Sequence, residues 1–268
     1  MRTQRIGDVD VIRDEVEIPG VGVLPINAFV LHANEPVLVD TGRPVEREAF
    51  LKALSSVIDP AQIRWIWLTH PDRDHMGSLF DVLAAAPKAR LVSTFAAVGY
   101  LTVEFPMPMD RVYLLNPGQA LSVGGGRSLH ASRPPLFDSP MTVGFFDDAS
   151  GFFFSSDCFG APMPTAEAAD VDDVREVGAD TLRAGQSLWV GVDSPWVHTV
   201  DPERFARTYD ELRSFAPNTI LSTHLPPAPG QLEAFVDFLE FAPRATPFVG
   251  PDQAMLEAML QQMHSAPE

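Results

Sequence analysis

The feature that most constrains this chain is the hexapeptide His70-Pro-Asp-Arg-Asp-His75, which stands directly behind the apolar run Ile63-Arg-Trp-Ile-Trp-Leu-Thr69. A short run rich in Trp and Ile reads as a buried strand, so the metal-competent side chains His70, Asp72, Asp74 and His75 fall where a strand ends and the chain turns toward a helix. Two imidazoles and two carboxylates this close repel or desolvate one another unless a cation joins them. Taken alone, the stretch also fits a polar turn in which Asp72 or Asp74 caps a helix over 76–86.

Two later segments repeat the pattern of an apolar strand closing on a metal-competent residue. Phe152-Phe-Phe-Ser-Ser-Asp157 ends on a carboxylate, and Ile220-Leu-Ser-Thr-His224 ends on an imidazole ahead of a Pro-rich loop. Each could be an ordinary cap or turn residue by itself. Around them, short strands are expected at 9–11, 15–18, 27–32 and 36–40. An amphipathic helix over 46–58 follows, then strands at 63–69 and 90–94 flanking the helix over 76–86. Further short strands lie within 111–122 and 127–132, with clearer ones at 142–147 and 151–156. The remainder reads as a helix over 202–215, a strand at 219–223 and helices over 231–241 and 252–263. Two successive halves, each ending a strand at a His, imply an α/β fold, a four-layer αββα sandwich, spanning residues 1–268 as one domain.

Composition narrows the function. The 268 residues, 46% of them hydrophobic, are enough for a sizeable core. Residue counts of 19 Lys plus Arg against 36 Asp plus Glu give a net charge of −17, which opposes nucleic acid and anionic membranes as partners. No apolar run is long enough to span a membrane, and the N-terminus lacks the apolar core of a signal peptide. The single cysteine, Cys158, excludes an internal disulfide framework and a Cys-rich zinc site, so a cytoplasmic location is expected. The 25 Pro residues cluster in stiff loops such as 105–109, 133–135, 161–164 and 225–229. The loop at 105–109 could cover an apolar pocket or form a homodimer contact. The acidic stretch 167–180 reads as a solvated loop or short helix.

The order Thr69-His-x-Asp-x-Asp-His75 followed by Gly77 resembles the His-x-His-x-Asp-His motif of the metallo-β-lactamase superfamily, with Asp72 where most members carry the second His. The segment 153–160 resembles the one that supplies a metal-bridging Asp, and its Phe-Ser-x-Asp-x-Phe-Gly form is especially similar to flavodiiron and oxygen-binding di-iron proteins. His224 stands where the superfamily places its last ligand, and Asp40, in Asp-Thr-Gly42, where it places a residue supporting the metal loop. The remaining ligand is ambiguous. Aligning Ser139-Pro140 with the superfamily's Pro-Gly-His-Ser-Pro-Gly loop puts Asp138 on the His, whereas another register leaves no ligand there and turns attention to His130. His198, in Asp193-Ser-Pro-Trp-Val-His198, is a further candidate as proton donor or replacement ligand, and Trp196 beside it as a packed loop residue.

The resemblance thus implies two metal ions held by His70, Asp72, Asp74, His75, Asp138, Asp157 and His224. That donor set is richer in oxygen than the five-His sites of most zinc hydrolases in the superfamily, which favours iron, with zinc or manganese as alternatives. The resemblance implies binding or reduction of dioxygen or a related diatomic, with electrons from a partner protein. A metallo-hydrolase of a small ester, thioester, lactone or phosphoester is the alternative, because both chemistries use the same ligands. A metal-bound structural or sensor module is a third. Flavodiiron proteins append a flavin-binding flavodoxin domain; here Gly124-Gly-Gly126 reads as a turn without the helix a phosphate site needs, so no flavin is expected in this chain.

Overall fold

The computed structural model describes residues 1–265. A first sheet of seven strands follows chain order: β1 (Arg2–Ile6), β2 (Val9–Ile18), β3 (Gly22–Leu31), β4 (Val37–Val39), β5 (Trp65–Trp67), β6 (Arg90–Ser93) and β7 (Val112–Leu114). Pairing is antiparallel from β1 to β4 and parallel from β4 to β7. The second sheet, of six strands, contains β8 (Ala120–Ser122), β9 (Ser128–Ser132), β10 (Gly144–Asp147), β11 (Phe152–Phe154), β12 (Thr219–Leu221) and β13 (Ala228–Pro229), in the order β13-β12-β11-β10-β9-β8. Within it only β11 and β12 run parallel.

Strand periodicity explains why the sheets stack. Trp65 and Trp67 enter the core between the sheets while Ile63, Ile66 and Leu68 enter a second core on the opposite face. Phe152 and Phe154 face inward, and Phe153 faces out. A strand buried on both faces reads as a continuous apolar run, which is why β5 and β11 are conspicuous in the sequence. Between the sheets, Phe145 stacks on Phe154 at 4.3 Å and Trp67 tilts against Phe145 at 4.4 Å.

Helices cover the outer faces. On the first sheet lie α1 (Arg47–Val57), the single turn α2 (Arg73–Met76), α3 (Leu79–Ala85) and α4 (Phe95–Glu104), which pack Phe50, Leu54, Leu79 and Leu101 onto Ile66 and Leu68. The short helix α5 (Ala166–Ala169) precedes the second set: α6 (Ala179–Asp193), α7 (Pro202–Ala206), α8 (Asp210–Phe215) and α9 (Leu232–Phe241). Their residues Leu182, Val190, Phe205, Leu212 and Phe235 pack with Phe153 and Ile220 of the second sheet. A terminal helix, α10 (Gln253–Ser265), follows. Three cores between four layers make the expected αββα sandwich.

Several local expectations change. The pieces at 9–11 and 15–18 are one ten-residue strand, β2, because both its faces are covered at the N-terminal end and only one at the other. The helix over 76–86 breaks at Gly77 into α2 and α3, and that over 202–215 breaks into α7 and α8. The acidic stretch 167–180 is not simply solvated. Arg13 donates to the carbonyls of Ala169 and Val171, and Asp170 and Asp172 pair with Arg2, so the stretch is fastened to β1 and β2. Helices α4 and α6 have no counterpart among the elements expected from sequence.

Candidate metal centre

The site forms where β4, β5, β11 and β12 end. Past β5 the chain passes through Thr69, His70 and Pro71 into α2, whose first turn carries Asp74 and His75. Asp72 occupies the position before that turn in extended conformation but accepts no capping hydrogen bond, so its carboxylate is left for other partners. Past β11, Ser156 and Asp157 follow in a sharp turn. Past β12 the chain reaches His224, whose Cβ stands so close to Gly160 that a side chain there would approach it to 2.9 Å.

Asp157 is the centre of the arrangement. Its Oδ2 lies 3.5 Å from His70 Nε2, and its Oδ1 lies 3.0 Å from His75 Nε2 and 3.4 Å from His224 Nε2. Around His70 stand Asp138 at 3.6 Å and Asp72 at 3.9 Å. Around the other two imidazoles stands Asp74, whose Oδ2 is 3.7 Å from His75 and 3.4 Å from His224. The seven side chains expected from the sequence thus meet as an outer group (His70, Asp72, Asp138) and an inner group (Asp74, His75, His224), with one oxygen of Asp157 turned to each. Ligand atoms in each group lie within 4.8 Å of one another.

The ring nitrogens turned into the site are poised for a cation. His70 Nε2 and His75 Nε2 are fully buried and make no hydrogen bond, the close approach of Asp157 included. Behind them, the opposite nitrogens are fixed. His224 Nδ1–H donates to the Pro25 carbonyl at 2.8 Å, which turns Nε2 toward the site. His75 Nδ1 meets Asp40 Oδ2 at 2.9 Å. Asp40 in turn accepts from the Thr69 amide and hydroxyl at 2.9 and 2.8 Å. For His70 the Nδ1 partners are the hydroxyls of Ser156 at 3.2 Å and Thr69 at 3.3 Å. Such supports set tautomer and ring orientation in metal sites.

Backbone strain gathers here as well. Asp40, Ser156 and Phe159 all hold positive φ angles, of 57°, 54° and 71°. Each costs about 1–2 kcal/mol for a residue with a Cβ, and such costs concentrate at functional sites.

The electrostatics show how strongly the carboxylates ask for positive charge. Burial works to raise the Asp157 carboxyl, yet His75, His70 and His224 together hold it well below the ordinary carboxylate range. Conversely, burial opposes charge on His224 but Asp157 pushes it up to about 9, and His75 is raised well above its ordinary value against the same burial penalty by Asp157, Asp74 and Asp40. Asp72 is raised, first by burial and then by Asp138 among its neighbours. Protons here take the place of cations. The donors, three imidazoles and four carboxylates, suit hard divalent or trivalent ions of the iron and manganese type.

Other candidates lie elsewhere. His130, on β9, is half exposed, 3.6 Å from Asp148 and against the Phe215 ring, and belongs to neither group. His198 belongs to neither group either, although its Nε2 is buried without a partner. Trp196 is packed, donating to the Phe137 carbonyl at 2.7 Å. Cys158 is buried behind Asp157, and burial pushes its thiol up. Two residues of α6 join the site from outside the expected set. Trp189 donates to the Asp157 carbonyl at 3.1 Å and lies against His224, and Asp193 clusters with Asp138 and Asp157. A cleft of about 430 Å³ lined by Pro71, Asp72, Tyr100, Val103 and Glu104 adjoins the outer group.

Comparison with known proteins gives a consistent picture. Residues 24–182 match the model of the family described as ODP family beta lactamase. The chain is 28% identical over 146 residues to diflavin flavoprotein A 1 of Synechocystis sp., covering 54% of this chain and 25% of that protein. It is 27% identical over 134 residues to the anaerobic nitric oxide reductase flavorubredoxin of Citrobacter koseri, covering 50% and 28%. The matched stretch therefore spans about a quarter of the length of these relatives. Among solved structures, rubredoxin oxygen:oxidoreductase from Desulfovibrio gigas superposes with a TM-score of 0.75 at 17% identity, over 90% of this chain and 61% of that one. The flavodiiron protein from Giardia intestinalis gives 0.76 at 17% identity, over 91% and 60%. Among the described residues no helix is long and apolar enough to cross a membrane.

Proposed function

We propose, on the premise that this chain belongs to the ODP family beta lactamases, that it is a dinuclear non-haem iron protein that binds or reduces dioxygen or nitric oxide. The observation that carries this reading is the division of Asp157, one oxygen toward His70 and the other toward His75 and His224. A carboxylate so placed serves two cations at once. The fit is supported by the buried, unpartnered nitrogens of His70 and His75 and by the surplus of carboxylates around them. The names of the relatives, a nitric oxide reductase and an oxygen:oxidoreductase, point the same way.

In this reading His70, Asp72 and Asp138 hold the outer ion, Asp74, His75 and His224 the inner one, and Asp157 both. Iron held by these residues would supply the redox chemistry that reduction of a diatomic molecule needs. The protein's part is to fix and shield. Asp40 and the Pro25 carbonyl keep His75 and His224 in the tautomers that present Nε2, and Ser156 with Thr69 does the same for His70. Trp189 lies against His224 on the inner side, while the cleft beside Asp72 gives a small molecule a place to approach the outer group. Electrons come from a partner protein, residues 1–268 form one metallo-β-lactamase-like unit, and the location is cytoplasmic.

The test is the metal content of protein made without added metal, together with its optical spectrum before and after reduction and air exposure. Two irons per chain with oxygen-dependent absorption are expected. Two zincs, a silent spectrum and turnover of simple esters would overturn the reading in favour of a hydrolase.

A further inference from the structure

Asp193 is the last residue of α6, and its carboxylate comes within 4.8 Å of ligand atoms of both Asp138 and Asp157. Those two carboxylates are the ones nearest the buried, unpartnered His70 Nε2, at 3.6 and 3.5 Å. Among the described residues no Arg or Lys pairs with any of the three acids. Helix architecture gives no reason for an acid here, because the C-terminal end of a helix carries partial negative charge and disfavours Asp. Three carboxylates meet here with no Arg or Lys among them, and two of the three stand within 3.6 Å of a buried, unpartnered imidazole nitrogen, which describes a place for a metal ion.

From this geometry we propose that Asp193 is an additional carboxylate ligand of the outer ion, so that this ion is held by His70, Asp72, Asp138, Asp157 and Asp193. The position of Asp193 is set by rigid parts. Trp189 of α6 donates to the Asp157 carbonyl at 3.1 Å, and Gly185 lets the helix lie so close to the 161–162 backbone that a Cβ would stand 2.6 Å from the Pro162 carbonyl oxygen. Ser194 Oγ donates to Asp193 Oδ2 at 2.8 Å, which orients the carboxylate and leaves its other oxygen for the ion. With four carboxylates and one imidazole, the outer position selects hard ions such as iron or manganese against zinc more strongly than the inner one.

This inference rests on the proposed metal centre, and the experiment separates the two. Anaerobic titration of metal-free protein with Fe(II), Mn(II) and Zn(II) is compared for the wild type, Asp193→Asn, Asp193→Glu and Ser194→Ala, with melting temperatures recorded with and without metal. Two ions are expected in the wild type. In Asp193→Asn one ion keeps its affinity and the other weakens by about tenfold or more, Asp193→Glu recovers most of it, and Ser194→Ala loses a few-fold. Without metal, Asp193→Asn melts no lower than the wild type, whereas with Mn(II) it gains less. A structural role for Asp193 would instead lower both melting temperatures. Two ions bound with unchanged affinity by Asp193→Asn, or a lower melting temperature in both states, would overturn the assignment of Asp193 alone. A wild type that takes up no metal would overturn the centre itself and this inference with it.

Discussion

The inner and outer groups of the site share Asp157 but are built to different standards. In the inner group His75 and His224 are 0% and 1% exposed, and each is braced through Nδ1 by a strong acceptor, Asp40 or the Pro25 carbonyl. The outer group has one imidazole, His70, just as buried but steadied only by the hydroxyls of Ser156 and Thr69, and its carboxylate Asp72 has 55% of its side chain exposed against 30% for Asp74 of the inner group. Rigid, buried donors retain an ion. A more exposed donor lets a small molecule approach it. The two positions are therefore unequal, one suited to holding and one to exchange.

Replacing Asp157 by Ala should erase the comparison. It removes a donor from both positions, and titration should find both affinities reduced by more than the roughly 10–100-fold that loss of a supporting residue causes. Asp40→Ala should act mainly on the inner side, lowering that affinity by about 10–100-fold in the same measurement, with a smaller loss at the outer ion through Thr69, which Asp40 holds against His70. Asp72→His acts on the outer side. By exchanging an oxygen for a nitrogen it should shift that position toward zinc by about tenfold in competition with Mn(II) or Fe(II), and unchanged selectivity would mean that Asp72 does not tune the metal.

A smaller effect separates the groups by pH. In metal-free protein the folded pKa of His224 is raised to about 9 from 6.5, chiefly by Asp157 working against burial, and His75 is raised as well. A raised imidazole stabilises the fold fully below about pH 6.5, and that contribution disappears as pH rises through about 9. The metal-free melting temperature should therefore fall across this interval, by roughly 2–4 °C for each kcal/mol lost. Metal uptake displaces the same protons, so affinity for the inner ion should climb over the same interval. Melting curves at pH 6, 7.5 and 9, with and without Mn(II), check both signs.

What the sequence discloses follows from where information is local. His70 to His75, Asp157 and His224 each close an apolar strand, and a strand end fixes the place of the next residue with little help from the rest of the chain. For this reason the αββα layering and six of the seven clustered donors, all but Asp138, are legible. Asp193 is not, because it is delivered by α6, a helix carrying Gly185 and Gly191 in its interior and therefore weak by propensity. Gly185 is there for the contact with Pro162, a requirement visible only once the helix lies on the second sheet. Helix α4 is hidden for a different reason. It is apolar on every side, with Phe95, Tyr100 and Val103 exposed, and so lacks the period that announces a surface helix. The choice between Asp138 and His130 needs the turn at 138–142, where Thr142 Oγ1 donates to Asp138 Oδ1 at 3.1 Å, to be seen in space.

The hexapeptide follows β5 of the first sheet, whereas Asp157 and His224 follow β11 and β12 of the second. Any ion gripped by both is a rivet through one end of the seam between the sheets. Metal occupancy then governs how tightly that end stays shut. On chelation, amide hydrogen exchange should quicken first at Leu68 and Ser155, whose N–H groups donate to Val92 and Leu221 beside the site, and later at Val9 and Leu31, where the packing of Phe29 and its neighbours and the Arg127–Asp8 pair hold the seam without metal.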